Sequence, residues 1–421
     1  MQPTVTSPPK PSYKSLFGLP VIVAALGYFV DIYDLLLFGI VRVPSLKDLG
    51  LNDEQISRVG ANIINWQMGG LLIGGIIWGV LGDKRGRLSV LFGSIITYSL
   101  ANIACGFIDR VTFMNPTDYY AFMRFIAGIG LAGELGAGIT LVSEVLPKEL
   151  RAIGTSLVAG IGLFGAVVAY FTVELFNWQN AFLIGGLMGI GLLLLRVGVI
   201  ESGMFKEVAG QKHVEKGNFL AFFNNRSRFS RYMKCIGIGL PTWFVIGILA
   251  TFSNEFGQAM GITEPVKPGL AIMWCYVGLA LGDLSSGFIS QWLQSRKKAV
   301  ALLMTFTLIF TLIYLFIGFK TVTGLYMCCL ALGFGIGYWA MFVTIGAEQF
   351  GTNLRATAAT TVPNMVRGTV ILMTSLYTGL KPSIEVIGAG AVVGVLSFAI
   401  GFYSTLSIPE THGKDLNYLE E

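Results

Sequence analysis

Charge is what this sequence has least of. Acidic and basic residues together make up 13% of its 421 positions, while 54% are apolar. A soluble domain carries roughly twice that charge, so a surface facing water all round is excluded. Histidine is nearly absent, and the two present, His213 and His412, lie in polar stretches. The five cysteines (Cys105, Cys235, Cys275, Cys328 and Cys329) show no CxxC or Cys/His spacing. Neither a metal site nor a disulfide framework is therefore expected. HExxH, nucleophile-elbow and phosphate-loop motifs are missing too. The reading is of a chain that is not an enzyme, takes no cofactor and has no nucleic-acid partner. The proline-rich start, residues 1–15, lacks an apolar stretch and reads as a cytosolic tail rather than a signal peptide.

What the chain has instead is long uncharged runs. About twelve apolar segments of roughly 20 residues are each long enough to cross a bilayer. Spans 1 to 6 are expected near 17–43, 58–81, 88–108, 119–143, 152–175 and 178–200. Spans 7 to 12 are expected near 232–256, 269–293, 299–319, 323–347, 356–380 and 384–408. The 54 glycines suit close helix packing in lipid. Placing both termini in the cytoplasm puts most lysines and arginines on that side, as the positive-inside rule requires. The expectation is a multi-pass protein of the cell membrane, monomeric, with the lipid bilayer as its surroundings. Its parts are a tail (1–15), a six-helix bundle (16–205), a basic linker lying on anionic lipid (206–231), a second bundle (232–408) and a tail (409–421).

Spans 2 and 3 are joined by Gly79-Val-Leu-Gly-Asp-Lys-Arg-Gly-Arg-Leu88. Gly79 and Gly82 let helix backbones approach, and Gly86 permits a tight reversal. Asp83 sits at a helix C-terminus, an unfavourable place for an anion unless a base such as Arg87 holds it. The two halves of the chain repeat. Glu144 to Arg151-Ala after span 4 and Glu348 to Arg355-Ala after span 10 share one spacing, and Gly287 to Lys298 is a worn copy of the basic turn.

Gly79, Leu81, Asp83, Lys84, Gly86 and Arg87 match the signature loop of the major facilitator superfamily, and the chain resembles that family over almost its whole length. Leu88 departs, since the family often has a further base there. The resemblance implies an all-α integral membrane protein of twelve transmembrane helices in two pseudo-symmetric six-helix bundles. It implies alternating access around a site between them. It also implies that Asp83, Arg87, Glu144, Arg151, Glu348 and Arg355 latch the halves on the cytoplasmic side, with Gly79 and Gly86 shaping that gate. Patches resemble different branches. Gly128 to Ala137 and Glu201-Ser-Gly-Met-Phe205 are similar to metabolite:proton symporters. Asp31-Ile-Tyr-Asp34 is similar to phosphate:proton symporters and, more loosely, to aromatic acid:proton symporters, and Pro409 to Lys414 is similar to sugar porters.

Ionisable groups inside lipid are costly and mark function. Asp31 and Asp34, three residues apart on span 1, are expected to share a face and to repel each other, so that one carries a proton. Arg124 and Glu134 on span 4 are expected to complete a ladder with them. In the second half Asp283 and Arg367 lie at similar depth. Either they pair, or Arg367 takes an anionic substrate in a bidentate grip. Tyr33, Asn65, Gln67, Tyr338, Trp339 and Asn364 are further candidates to line the cavity. The reading is a secondary transporter, a proton-coupled symporter taking up a small polar anion such as an organic acid or phosphate. Sodium as the coupling ion, an exporter or drug antiporter, and a sugar porter stay open as alternatives.

Overall fold

A backbone in lipid has no water to bond, so each crossing segment must satisfy its own N–H and C=O groups by forming a helix. The computed structural model describes residues 16–85, 87–133, 146, 151–201 and 219–412. Among these, helices are present and no strand occurs. Eight helical stretches are long and apolar enough to cross a membrane by length and composition. The last, Thr357–Ser407, leaves helical geometry at Ile384 and Glu385, where Glu385 adopts φ 61°, and so holds spans 11 and 12. Spans 2, 3 and 4 (Asp53–Arg85, Arg87–Gly106 and Pro116–Leu131) complete the twelve.

Span 1 is Leu19–Asp48, span 5 Arg151–Leu175 and span 6 Trp178–Glu201. Span 7 is Arg226–Phe244, continued through a wider turn, Val245–Ala250, into Ser253–Ala259. Span 8 is Pro268–Leu293, span 9 Arg296–Leu312, and span 11 starts as Thr352–Gly368. Helix ends overrun the apolar segments. Span 1 continues past Val43 through Pro44, Ser45 and Lys47 to Asp48, because a chain that has left the lipid need not leave the helix. Ends are capped where the sequence offers it: Asn115 accepts from Thr117 N–H, Asn225 from Ser227 N–H and Ser295 from Lys298 N–H.

Span 10 corrects the sequence reading. Expected as one helix, it is Val322–Ile336 and Trp339–Glu348, broken at Gly337 and Tyr338. The cause is backbone contact: a Cβ on Gly337 would lie 2.4 Å from Gly282 Cα of span 8. The N–H of Ala340, at the start of the second piece, donates to the Asp283 carboxylate at 3.0 Å. Asp283 is thus an internal cap.

Packing repeats between the halves. Spans 1 and 5, 2 and 4, and 3 and 6 pair in the first; in the second, 8 and 10 pair, span 7 packs on spans 11 and 12, and span 9 packs on spans 10 and 12. The 2–4 and 8–10 seams meet backbone to backbone. A Cβ on Gly128 would stand 2.1 Å from Gln67 O, and one on Gly278 2.0 Å from Leu330 O. Between the halves, span 2 meets span 11 and span 5 meets span 8, contacts that the pseudo-two-fold exchanges.

Candidate functional site

Span 1 lies on the seam, and its two carboxylates go different ways. Asp31 is fully buried and its Oδ2 is 3.9 Å from Arg367 of span 11, which is 1% exposed. This ion pair joins the halves at mid-depth. Asp34, also fully buried, faces its own bundle, where a Cβ on Gly185 of span 6 would come within 2.4 Å of its Oδ1. The two acids stay within electrostatic reach of each other, as expected, but they meet different bundles. Residues i and i+3 stand about 60° apart on a helix, and here the boundary between two bundles falls between them. Of the two alternatives for Arg367, pairing with Asp283 is not the one found, since Arg367 is held by Asp31 and Asp283 by the break in span 10.

Arg124 is buried in the first bundle and fully engaged. It donates to Gln67 Oε1 at 3.2 Å, to Asn102 Oδ1 at 2.6 Å and to the Asp34 backbone carbonyl at 3.0 Å. Spans 1 and 4 do approach each other: Arg124 bonds the Asp34 backbone carbonyl, and its guanidinium is also within electrostatic reach of the Asp34 carboxylate. Gln67 spends its amide on Leu35 O. Tyr33 donates to Ala181 O and Tyr338 to Ile238 O, each inside its own bundle. Gln67, Tyr33 and Tyr338 are thus buried and engaged within their own bundles, and none of them lines the cleft at Arg367. Asn65 bridges the halves instead, accepting from the Thr374 hydroxyl and donating to Ser375. Asn364 also bridges them: its amide donates to Ala132 O of the first half at 3.1 Å, and its oxygen accepts from Arg367.

A cleft of only about 10 Å³, room for no more than a water molecule in this closed state, lies against Arg367. Its walls are Tyr28, Ile32, Leu163, Thr242, Trp243, Ile246, Tyr276, Leu279 and Trp339. Trp243 and Trp339 stand edge to face with ring centroids 6.3 Å apart, and the Arg367 guanidinium lies 5.9 Å from the Trp243 ring. Tyr28 is within electrostatic reach of Arg367, Asp31 and Asp283. Of the residues expected here, Arg367 and Trp339 line the cavity, while Tyr28, Trp243 and Tyr276 went unread. Aromatics at lipid depth read as packing until a neighbouring charge gives them a direction.

The far face, where span 1 ends, carries a second cluster. Arg42 is fully buried, donates to Thr251 O and Asn254 Oδ1 at 2.9 Å each, and lies 4.4 Å from the Phe252 ring. It is 3.9 Å from Glu255. Glu255 in turn accepts from Lys381 at 2.7 Å and from Tyr377 at 3.0 Å, and Lys381 reaches back to Ser57 of the first half. Lys267, just before span 8, pairs with Glu174 of span 5 at 2.9 Å. The halves are thus latched at this face. Arg42 escaped notice because the apolar segment ends at Val43, which puts it at the lipid edge. The helix runs on, so it is inside.

The near face is described in part. Gly86, Glu134 and Glu144 lie outside the described residues, as do the side chains of Asp83, Arg87 and Arg151; Gly79 lies within the span 2 helix. Among the described residues, Glu348 finds its partners within its own half. It pairs with Arg296, at the start of span 9, at 2.7 Å, and Arg355 is within electrostatic reach of the same carboxylate. Beside them Glu410 caps span 9. Burial works to raise its carboxyl, but the Ser295 hydroxyl and the N–H groups of His412, Lys297 and Arg296 outweigh that and hold it at about 2.

The niacin transporter NiaP of Acinetobacter baylyi is 28% identical to this chain over 377 residues, covering 80% of this chain and 81% of that protein. The gentisate transporter of Corynebacterium glutamicum is 24% identical, covering 91% and 88%. The crystal structure of a D-xylose-proton symporter shares the fold, with a TM-score of 0.68 at 15% identity over 96% of this chain and all of that one. Residues 24–375 match the family model for the Major Facilitator Superfamily, and the chain belongs to that family of membrane transporters.

Proposed function

We propose that this transporter takes up a small aromatic monocarboxylate together with a proton. The observation that carries the reading is the Asp31–Arg367 pair joining the halves, 3.9 Å apart and buried, beside an aromatic cavity. A guanidinium cannot shed its charge at this depth, so an anion must always accompany it. In this state the anion is Asp31. A substrate carboxylate competes for the same guanidinium, and Asp31 can yield it cheaply only by taking up a proton. Anion and proton then enter together, with no net charge added to the site. One cation suits one carboxylate. Walls of tryptophan and tyrosine suit a flat ring better than a hydroxyl-rich sugar. Relatives named for niacin, gentisate and benzoate agree in chemistry.

The near face is the cytoplasm in this reading, which leaves both termini inside. Alternating access then requires the Arg42–Glu255–Lys381 cluster to come apart when the far face opens. Thermal denaturation of the purified protein with niacin, gentisate, benzoate, D-xylose and phosphate tests the substrate class. At least one aromatic acid raises the melting temperature, in line with RT ln(1 + [L]/Kd), and xylose and phosphate do not. Stabilisation by xylose or phosphate alone overturns it.

A further inference from the structure

The linker that joins the halves ends in a turn, Phe219–Phe222, just before span 7. Its anchor is Phe222, fully buried and stacked on Tyr232 at 4.6 Å, with Phe350 edge-on at 4.9 Å. The turn also lies against span 2, so it touches both halves at the near face. Its outward side is unlike its anchor. Leu220 is 61% and Phe223 50% exposed. Arg226 and Arg228 follow within one helical turn, and neither forms an ion pair among the described residues. The Arg228 Nε is buried without a hydrogen-bond partner. Span 7 is within the apolar core by Tyr232, so this patch stands at headgroup depth, where apolar side chains meet acyl chains and arginines meet phosphates.

We propose that this patch binds one anionic phospholipid, its phosphate between Arg226 and Arg228 and its chains against Leu220 and Phe223. Charge complementarity selects the partner: two uncompensated cations beside exposed apolar groups fit an acidic lipid better than a zwitterionic one. The turn packs on both halves, so a lipid held there bears on the near-face seam as well as on the linker.

Native mass spectrometry of the full chain, titrated with phosphatidylglycerol or phosphatidylcholine, tests the site. Wild type retains a phosphatidylglycerol that Arg226→Gln with Arg228→Gln loses, by roughly five-fold for each charge removed. Arg226→Gln alone, on an exposed side chain that bears no packing, shows the intermediate loss. Arg110→Gln with Lys320→Gln removes the same net charge at the far face and behaves as wild type. Equal retention of phosphatidylglycerol by wild type and the linker variants overturns the proposal, and so does equal retention of phosphatidylcholine by wild type.

Discussion

Arg367 is the residue on which the account turns, because its charge is permanent and its partner lies in the other half of the molecule. Arg367→Lys keeps the charge but loses the planar fork. Ligand affinity should fall by about tenfold or more, equivalent to roughly 1.5–3 kcal/mol for a charged hydrogen bond, while the protein still folds. Isothermal titration with the best-bound aromatic acid checks this, and an unchanged affinity would remove Arg367 from the binding site. Asp31→Asn cannot release a proton, so it should exchange ligand across a membrane yet fail to accumulate it on an imposed pH gradient. Gradient-driven accumulation at the wild-type level would acquit Asp31. Both residues stand out in the sequence as charges at lipid depth. Their partnership does not, because periodicity places a residue on a face but does not say which helix that face meets. Asp31 and Asp34 make the point: three residues apart, they serve different bundles.

At the scale of the element, glycine does the work that hydrophobicity cannot do in lipid. Spans 2 and 4 touch backbone to backbone at Gly128, where an added Cβ would meet Gln67 O at 2.1 Å, whereas at Gly160 it would meet nothing within 4 Å. Gly128→Ala should therefore cost about 1–3 kcal/mol by forcing the helices apart. Gly160→Ala should be neutral or slightly stabilising, since alanine is the better helix former. Thermal unfolding in detergent separates the two, and equal melting temperatures would refute close packing at Gly128. Span 9 offers a pH test. Glu410, its cap, sits at about 2 when folded against an ordinary value of 4.5. A depressed carboxyl stabilises fully above its unfolded value and loses that contribution as pH falls from 4.5 toward 2. Glu410→Gln should flatten the stability profile across that window; an unaltered profile would show that the cap contributes nothing. Twelve apolar segments and a duplicated unit were readable in the sequence. The break in span 10 was not, because it arises where Gly337 meets Gly282, a contact between two distant segments.

At the scale of the whole molecule, the far-face latch and the central ion pair form one system. In the proposed cycle, opening the far face separates Arg42 from Glu255 and Lys381 from Ser57. Glu255→Gln weakens both cationic contacts and should shift the population toward the far-open state, by a bias on the order of 1–3 kcal/mol. Spin labels at cysteines replacing Glu54 and Thr263, in a chain whose five native cysteines are all buried, would report a longer distance. An unchanged distribution would reduce the cluster to a structural role.

The central claim is that anion and proton bind together because both act on the Asp31–Arg367 pair. Its most direct test is the affinity of the best-bound aromatic acid as a function of pH, in a range where the ligand stays ionised, for wild type and Asp31→Asn. Reciprocity between the two ligands requires wild-type affinity to fall as pH rises, by up to about tenfold per unit once Asp31 must be protonated for the anion to bind. Asp31→Asn should bind with little dependence on pH. A wild-type affinity indifferent to pH, or the same slope in both proteins, would contradict the account.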